Sequence, residues 1–113
     1  MHWSHSDDHG LRIQHTLFPT AYLLRLLGDM DSTSYGLADA FSHAAGWGLP
    51  LIVDLSALGF GDAELLGHLL SAHQGPGLTL VGPLSGSFQR RLDTAGVAHV
   101  FTIRPTLAAA LDR

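Results

Sequence analysis

The 113-residue sequence contains no cysteine and no lysine. Without cysteine the chain has no disulfide scaffold, no thiolate-ligated metal centre and no cysteine nucleophile. Its six basic residues are all arginine and are outnumbered by ten acidic residues, which gives a formal net charge of −4. No basic stripe can neutralise several phosphates in succession, so we expect no direct nucleic-acid partner.

Long hydrophobic runs are also missing. The apolar stretch Ala21–Leu27 is interrupted by Arg25, and a membrane-spanning helix needs about 20 apolar residues. The opening residues Met1–Ser4 have no basic segment followed by an apolar one, so they do not read as a secretory signal. We therefore expect a cytoplasmic protein without a membrane partner, and the length predicts one domain.

The sequence lacks the common catalytic motifs. Gly-x-Ser-x-Gly is absent, a phosphate-binding loop ending in Gly-Lys is excluded by the absence of lysine, and no Gly-x-Gly-x-x-Gly follows the first predicted strand. His2, His5 and His9 could chelate a metal, but nothing near them in sequence would orient their rings. We expect no enzyme activity, no cofactor and no metal site.

Hydrophobic periodicity predicts an α/β domain. Alternation over Leu11–Leu17 and Ala21–Leu27 is typical of two strands joined by a short turn. Downstream, strands and helices alternate, which favours a mixed, mostly parallel sheet of about five strands with helices packed against it. The predicted segments are a helix over Leu37–Ala45, a strand over Pro50–Leu55, a turn over Ser56–Gly61, a helix from Asp62 to His73, a strand over Leu78–Val81, a helix over Ser85–Ala95, a strand over Val97–Ile103 and a short helix over Pro105–Leu111. Residues 1–10 are predicted to be a flexible tail and 11–113 the domain.

Several segments in order resemble the STAS domain, the domain of anti-sigma-factor antagonists and of sulfate-transporter tails. They are Gly28-Asp29-Met30-Asp31, Leu51-Ile52-Val53-Asp54-Leu55-Ser56, Phe60-Gly61-Asp62-Ala63-Glu64, Gly96-Val97 and Pro105-Thr106-Leu107-Ala108-Ala109-Ala110-Leu111. The resemblance covers about Leu11 to Leu111 and implies the STAS fold. It further implies a module that binds a kinase-type anti-sigma factor and so frees a sigma factor for transcription.

The resemblance also implies where such a switch would lie, and there this sequence departs from the family pattern. In the family an Asp-Ser-Ser-Gly-like segment opens the helix after the third strand, and its first hydroxyl is phosphorylated by the anti-sigma factor. Here the segment reads Asp62-Ala63-Glu64-Leu65, so the phosphoacceptor position falls on Ala63, which has no hydroxyl. Two outcomes stay open: the module is permanently able to bind, or Glu64 imitates the phosphorylated form.

The expected partner-binding surface consists of the turn over Gly28–Ser34, the loop over Ser56–Glu64 and the exposed face of the helix that begins at Asp62, and its candidate residues lie in the first two segments. They are Asp29, Asp31, Ser32, Ser56, Asp62, Ala63 and Glu64. Asp62 and Ser32 also suit a simpler role as helix N-caps, and Glu64 a first-turn acid that complements the helix dipole. The resemblance also implies a second candidate phosphosite just after the Gly28-Asp29-Met30-Asp31 turn, at Ser32 or Thr33.

Two other classes of function fit the same sequence. One is a STAS domain that senses a small molecule in a pocket beside the sheet, where glycines such as Gly75 and Gly77 allow close backbone approach. The other is a scaffold subunit that assembles with copies of itself or with other STAS proteins.

Overall fold

In a computed structural model of the chain, the structure describes the backbone of residues 2–6 and residues 11–29, 36–61 and 63–112. They form an α/β fold, as the periodicity predicts. One six-stranded sheet has its strands in chain order. The strands are β1 His2–Ser6, β2 Arg12–Leu17, β3 Tyr22–Asp29, β4 Leu51–Phe60, β5 Leu78–Val81 and β6 Thr102–Arg104.

The sheet is mixed. β1, β2 and β3 pair antiparallel, whereas β3, β4, β5 and β6 pair parallel. β1 differs from the flexible tail expected over residues 1–10, because His2–Ser6 pair with β2 in register from Thr16 to Arg12. The physical reason is that β2 would otherwise present a row of unpaired backbone N–H and C=O groups at the sheet edge.

The four predicted helices are present in the described residues. They are α1 Leu37–Ala45, α2 Ala63–His73, α3 Gly86–Ala95 and α4 Leu107–Leu111. No helix among these residues is long and apolar enough to cross a membrane.

Two sequence predictions are wrong in detail. The segment expected to be a turn over Ser56–Gly61 is mostly strand, because β4 continues to Phe60 beside β3. The strand expected over Val97–Ile103 begins instead with a 3₁₀ turn at Ala98–Val100, and only Thr102–Arg104 pair with β5. A backbone hydrogen bond of 3.0 Å from Val100 N to Val97 O closes that turn, so the strand begins only at Thr102.

The sheet separates two apolar cores of unequal size. The larger core lies under α1, α2 and α3 and includes Tyr22, Val53 and Leu69. The smaller core lies under α4, where Ala110 packs with Leu23 and Ile52. Because strand residues alternate between faces, α1, α2 and α3 lie on one side of the sheet and α4 on the other.

Candidate functional site

The end of β3, the end of β4 and the start of α2 meet at one edge of the sheet. Asp29, the last residue of β3, pairs with Phe60, the last residue of β4, while Gly28 pairs with Leu58. Gly59 is therefore an extra residue in the ladder, as in a β-bulge. The Asp29 carboxylate lies against Gly59 so closely that a Cβ there would overlap Oδ1. The absence of a side chain at Gly59 thus leaves room for an exposed carboxylate near the start of α2.

Helix α3 also packs against this segment, at Gly59 and Gly61. A Cβ at Gly61 would lie 2.7 Å from Cδ1 of Phe88, so only glycine fits beneath this buried ring. The Ser87 hydroxyl donates a hydrogen bond of 3.4 Å to the Gly59 carbonyl. The end of β4 and Gly61 thus lie between β3 and α3, in contact with neighbours that are distant in sequence.

Ala63 and Glu64 form the first turn of α2 and are both exposed. The Glu64 side chain is 56% exposed, and its Oε2 lies 3.8 Å from Nε2 of His68 one turn along the helix. An acid in the first turn complements the positive end of the helix dipole. We call Asp29, Gly59, Ala63 and Glu64, which are all exposed, together the junction surface.

Ser56 does not join the junction surface. Its backbone N–H and its hydroxyl donate hydrogen bonds of 2.9 Å and 2.7 Å to Oδ1 of Asp54. Asp54 is 4% exposed, and its Oδ2 accepts a hydrogen bond of 3.0 Å from Nε of Arg25 on β3. By strand alternation from Ile52, these side chains lie on the face of the sheet that carries α4. Ser56 therefore provides two hydrogen-bond donors to a buried carboxylate.

The remaining predicted site residues are Asp31, Ser32, Thr33 and Asp62, and they lie outside the described residues. Their assignment to partner contact, to N-caps or to a second phosphosite stays a prediction. Within the described part of the chain, no three histidine or acidic side chains are grouped so that they could hold a metal ion.

Sequence reasoning missed one contributor to this region, Ser87, and one ion pair on the opposite face of the sheet, between Asp54 and Arg25. The sequence pattern predicts only that Ser87 lies in a helix. The segment Ser85-Gly86-Ser87 is typical of a capped helix start, in which Ser85 is the N-cap and Ser87 lies in the first turn. The Ser85 hydroxyl accepts the Phe88 N–H at 3.3 Å, which places Ser87 on the first turn. Asp54 was read as part of an apolar strand, and no local signal identifies its partner Arg25.

Comparison with known proteins agrees with this architecture. No protein-family model matches the chain, and no curated protein sequence matches it. Among solved structures, the chain is similar to the crystal structure of an anti-sigma factor antagonist from Mycobacterium paratuberculosis, with a TM-score of 0.74 and 23% sequence identity. The match covers 94% of this chain and 95% of that chain. The fold is the STAS fold. The fold that the sequence resemblance implied is thus confirmed, and the junction surface lies where the second parallel connection, from β4 through α2 to β5, begins.

Proposed function

We propose that the chain is an anti-sigma-factor antagonist, a binding protein without catalytic activity, and that the junction surface contacts a kinase-type anti-sigma factor. The observation that carries the proposal is the STAS fold, which matches an anti-sigma factor antagonist over 94% of the chain. The partner class comes from the sequence resemblance around Asp62-Ala63-Glu64. Capture of the anti-sigma factor would release a sigma factor for transcription.

The junction surface has the physical character that a protein contact needs. Asp29, Ala63 and Glu64 are exposed, whereas the segment beside them packs closely against Asp29 at Gly59 and against Phe88 at Gly61. A surface that is already ordered loses little conformational freedom when a partner binds, which favours affinity.

Ala63 makes phosphorylation at the start of α2 impossible at that position, because its side chain has no oxygen. A phosphate there would add nearly two negative charges and three acceptor oxygens. Glu64 supplies one charge, and the His68 imidazole lies 3.8 Å from its carboxylate. We infer that the single charge of Glu64 is too weak a substitute for a phosphate to prevent binding. The module is therefore permanently able to bind.

The binding proposal is tested with the anti-sigma kinases of the source organism, each purified and titrated calorimetrically with the wild-type chain. We expect one of them to bind, and we expect Ala63→Arg to weaken that binding at least tenfold because a bulky cation replaces a small exposed residue. Ala95→Arg is the matched control, since Ala95 is also exposed but lies at the far end of α3. The proposal fails if the folded wild type binds none of the kinases, and the assigned surface fails if the two variants bind equally.

Ser32 and Thr33 are the second candidate phosphosite. Phosphate at either hydroxyl would add nearly two negative charges close in sequence to Asp29 and Asp31 and so change the charge that this turn presents to a partner. Mass spectrometry of the protein purified from its own cells is the test. Both residues unmodified under every growth condition would remove this part of the proposal.

A further inference from the structure

A groove of about 300 Å³ opens between the carboxyl-terminal halves of α1 and α2, and its lining residue His68 lies one helical turn beyond Glu64 of the junction surface. Its volume lies at the lower end of the range, about 300 to 1,000 Å³, in which proteins bind small molecules. The walls come from both helices, from the start of β4 and from the turn that leads into β5. The lining residues are Ala38, Phe41, Ser42, Ala44, Ala45, Leu49, Leu51, His68, Ser71, Ala72, Gly75, Pro76 and Gly77.

The floor and back wall of the groove are firmly held. Leu51 begins β4, and its N–H donates a hydrogen bond of 2.9 Å to the Gly77 carbonyl. Gly77 has φ of +151°, a conformation that side chains rarely adopt, so the turn can bring its backbone against the groove. The Phe41 ring stacks on the His68 ring with centroids 5.2 Å apart and an interplanar angle of 13°. The site is therefore formed before any ligand arrives.

Three polar side chains face this otherwise apolar space: Ser42, His68 and Ser71. Within the described part of the chain, neither hydroxyl takes part in a side-chain hydrogen bond, and His68 pairs through Nε2 with Glu64 only, which leaves Nδ1 available. A few convergent polar groups on apolar walls are what orients a small ligand.

The residue types that line the groove indicate which charge its ligand can carry. Among the described lining residues there is no arginine, aspartate or glutamate, and the chain has no lysine at all. A phosphate or carboxylate would lose its hydration without gaining a fixed cation, and an ammonium group would gain no carboxylate. We propose that this groove binds a small, uncharged, mainly apolar molecule that carries one hydroxyl or carbonyl group. This proposal does not rest on the anti-sigma partner, because the groove is lined by residues other than those of the junction surface, with His68 lying 3.8 Å from Glu64 where the two adjoin.

The test compares three naphthalene probes of similar size and different charge. They are 1-naphthol, which is neutral, 1-naphthoate, which is an anion, and protonated 1-(aminomethyl)naphthalene, which is a cation. Binding to the full chain is followed by amide chemical-shift changes in nitrogen-15 NMR spectra at pH 7. We expect saturable binding of 1-naphthol at one site, at least tenfold tighter than either charged probe, with shifts concentrated in α1, α2 and the 75–77 turn.

Two matched variants locate the site. Ala45 and Ala95 are both exposed last residues of helices, and each is followed by glycine, but only Ala45 lines the groove. Ala45→Phe should weaken 1-naphthol binding at least tenfold, whereas Ala95→Phe should leave it unchanged. Ser71→Leu, which fills the groove from α2, is the second blocking variant if Ala45→Phe does not fold.

Several results would overturn the proposal. They are the absence of saturable 1-naphthol binding to folded protein, equal binding of all three probes, and unchanged affinity in both blocking variants. Light scattering covers the remaining alternative. A dimer that dissociates on Ala45→Phe would show that a second copy of the chain occupies the groove instead of a small molecule.

Discussion

At the scale of single residues, the described core accommodates its polar side chains by pairing them. Tyr22 is fully buried, and its hydroxyl lies 2.7 Å from Nδ1 of His15, which is 4% exposed. Asp54 is paired with Arg25 and Ser56 on the opposite face of the sheet. Each buried group exchanges hydration for hydrogen bonds, which avoids the cost of leaving a polar atom unsatisfied.

Tyr22 makes the protein sensitive to alkali. Burial raises the pKa of Tyr22 from 10.0 to about 12, so the folded state favours the neutral phenol. In the unfolded chain the Tyr22 phenol ionises near pH 10. The contribution of the neutral phenol to the stability of the fold is therefore complete below pH 10 and is lost as the pH rises toward 12. We expect urea midpoints to fall between pH 9.5 and pH 11, and Tyr22→Phe to reduce that fall while costing about 0.5–1.5 kcal/mol at pH 7 through the lost hydrogen bond. The same slope in both proteins would contradict the assignment.

Among the acidic residues that the structure describes, Asp54 is the one whose replacement by alanine is expected to destabilise the fold most. Asp54→Ala removes the acceptor for both Ser56 donors and for Arg25. We expect a loss of about 3 kcal/mol of unfolding free energy, at the low end for a broken buried pair because the Arg25 side chain is 40% exposed. Asp93→Ala, which removes an exposed acid on α3, should cost under about 0.5 kcal/mol. Equal urea midpoints for the two variants would show that the buried pair does not stabilise the fold.

At the scale of elements, two glycines of the β4–α2 region have opposite roles. Gly67 lies in the middle of α2 with nothing within 4 Å of the position of a Cβ. Gly61 lies beneath Phe88, where a Cβ has no room. The first glycine only weakens its helix, whereas the second allows α3 to approach the loop.

Alanine at these two positions should therefore shift stability in opposite directions. Gly67→Ala should stabilise the protein by about 0.5–1 kcal/mol, because alanine restricts the unfolded chain and favours helix. Gly61→Ala should destabilise it by about 1–3 kcal/mol through overpacking against Phe88. Thermal unfolding of both variants beside the wild type is the measurement. A gain in stability for Gly61→Ala would show that α3 can move away from the loop.

At the scale of the whole molecule, the proposed antagonist differs from a phosphorylation switch by the residue that opens α2. With ATP and the anti-sigma kinase that binds it, the wild type should acquire no phosphate within residues 62–70, because Ala63 offers no acceptor. Ala63→Ser should restore labelling at residue 63 if the kinase recognises the loop. Label on the wild type in this segment would contradict permanent competence.

The charge of Glu64 separates the two outcomes that the sequence left open. If the module is permanently competent, Glu64→Ser should bind the kinase within about threefold of the wild type. If Glu64 imitates a phosphate, that variant should bind more than tenfold tighter, a difference of about 1.4 kcal/mol. Calorimetric titration of both proteins measures the difference directly.

The sequence by itself determined the features that depend on neighbouring residues. Period-two and helical spacing located β2, β3, the first part of β4 and all four helices, because these patterns arise from which face of one element is buried. The ordered motifs around Gly28, Asp54 and Gly61 were sufficient to indicate the STAS fold. The identity of Ala63 needed no structure at all.

Only the tertiary structure decided what depends on residues far apart in the chain. It paired His2–Ser6 with β2, extended β4 to Phe60 along β3, and joined Asp54 to Arg25 across 29 positions. It also directed Ser56 to Asp54, placed Asp29 over Gly59, and opened the groove between α1 and α2. Local periodicity carries no information on these contacts, because strand register and helix spacing are set by packing across the whole sheet.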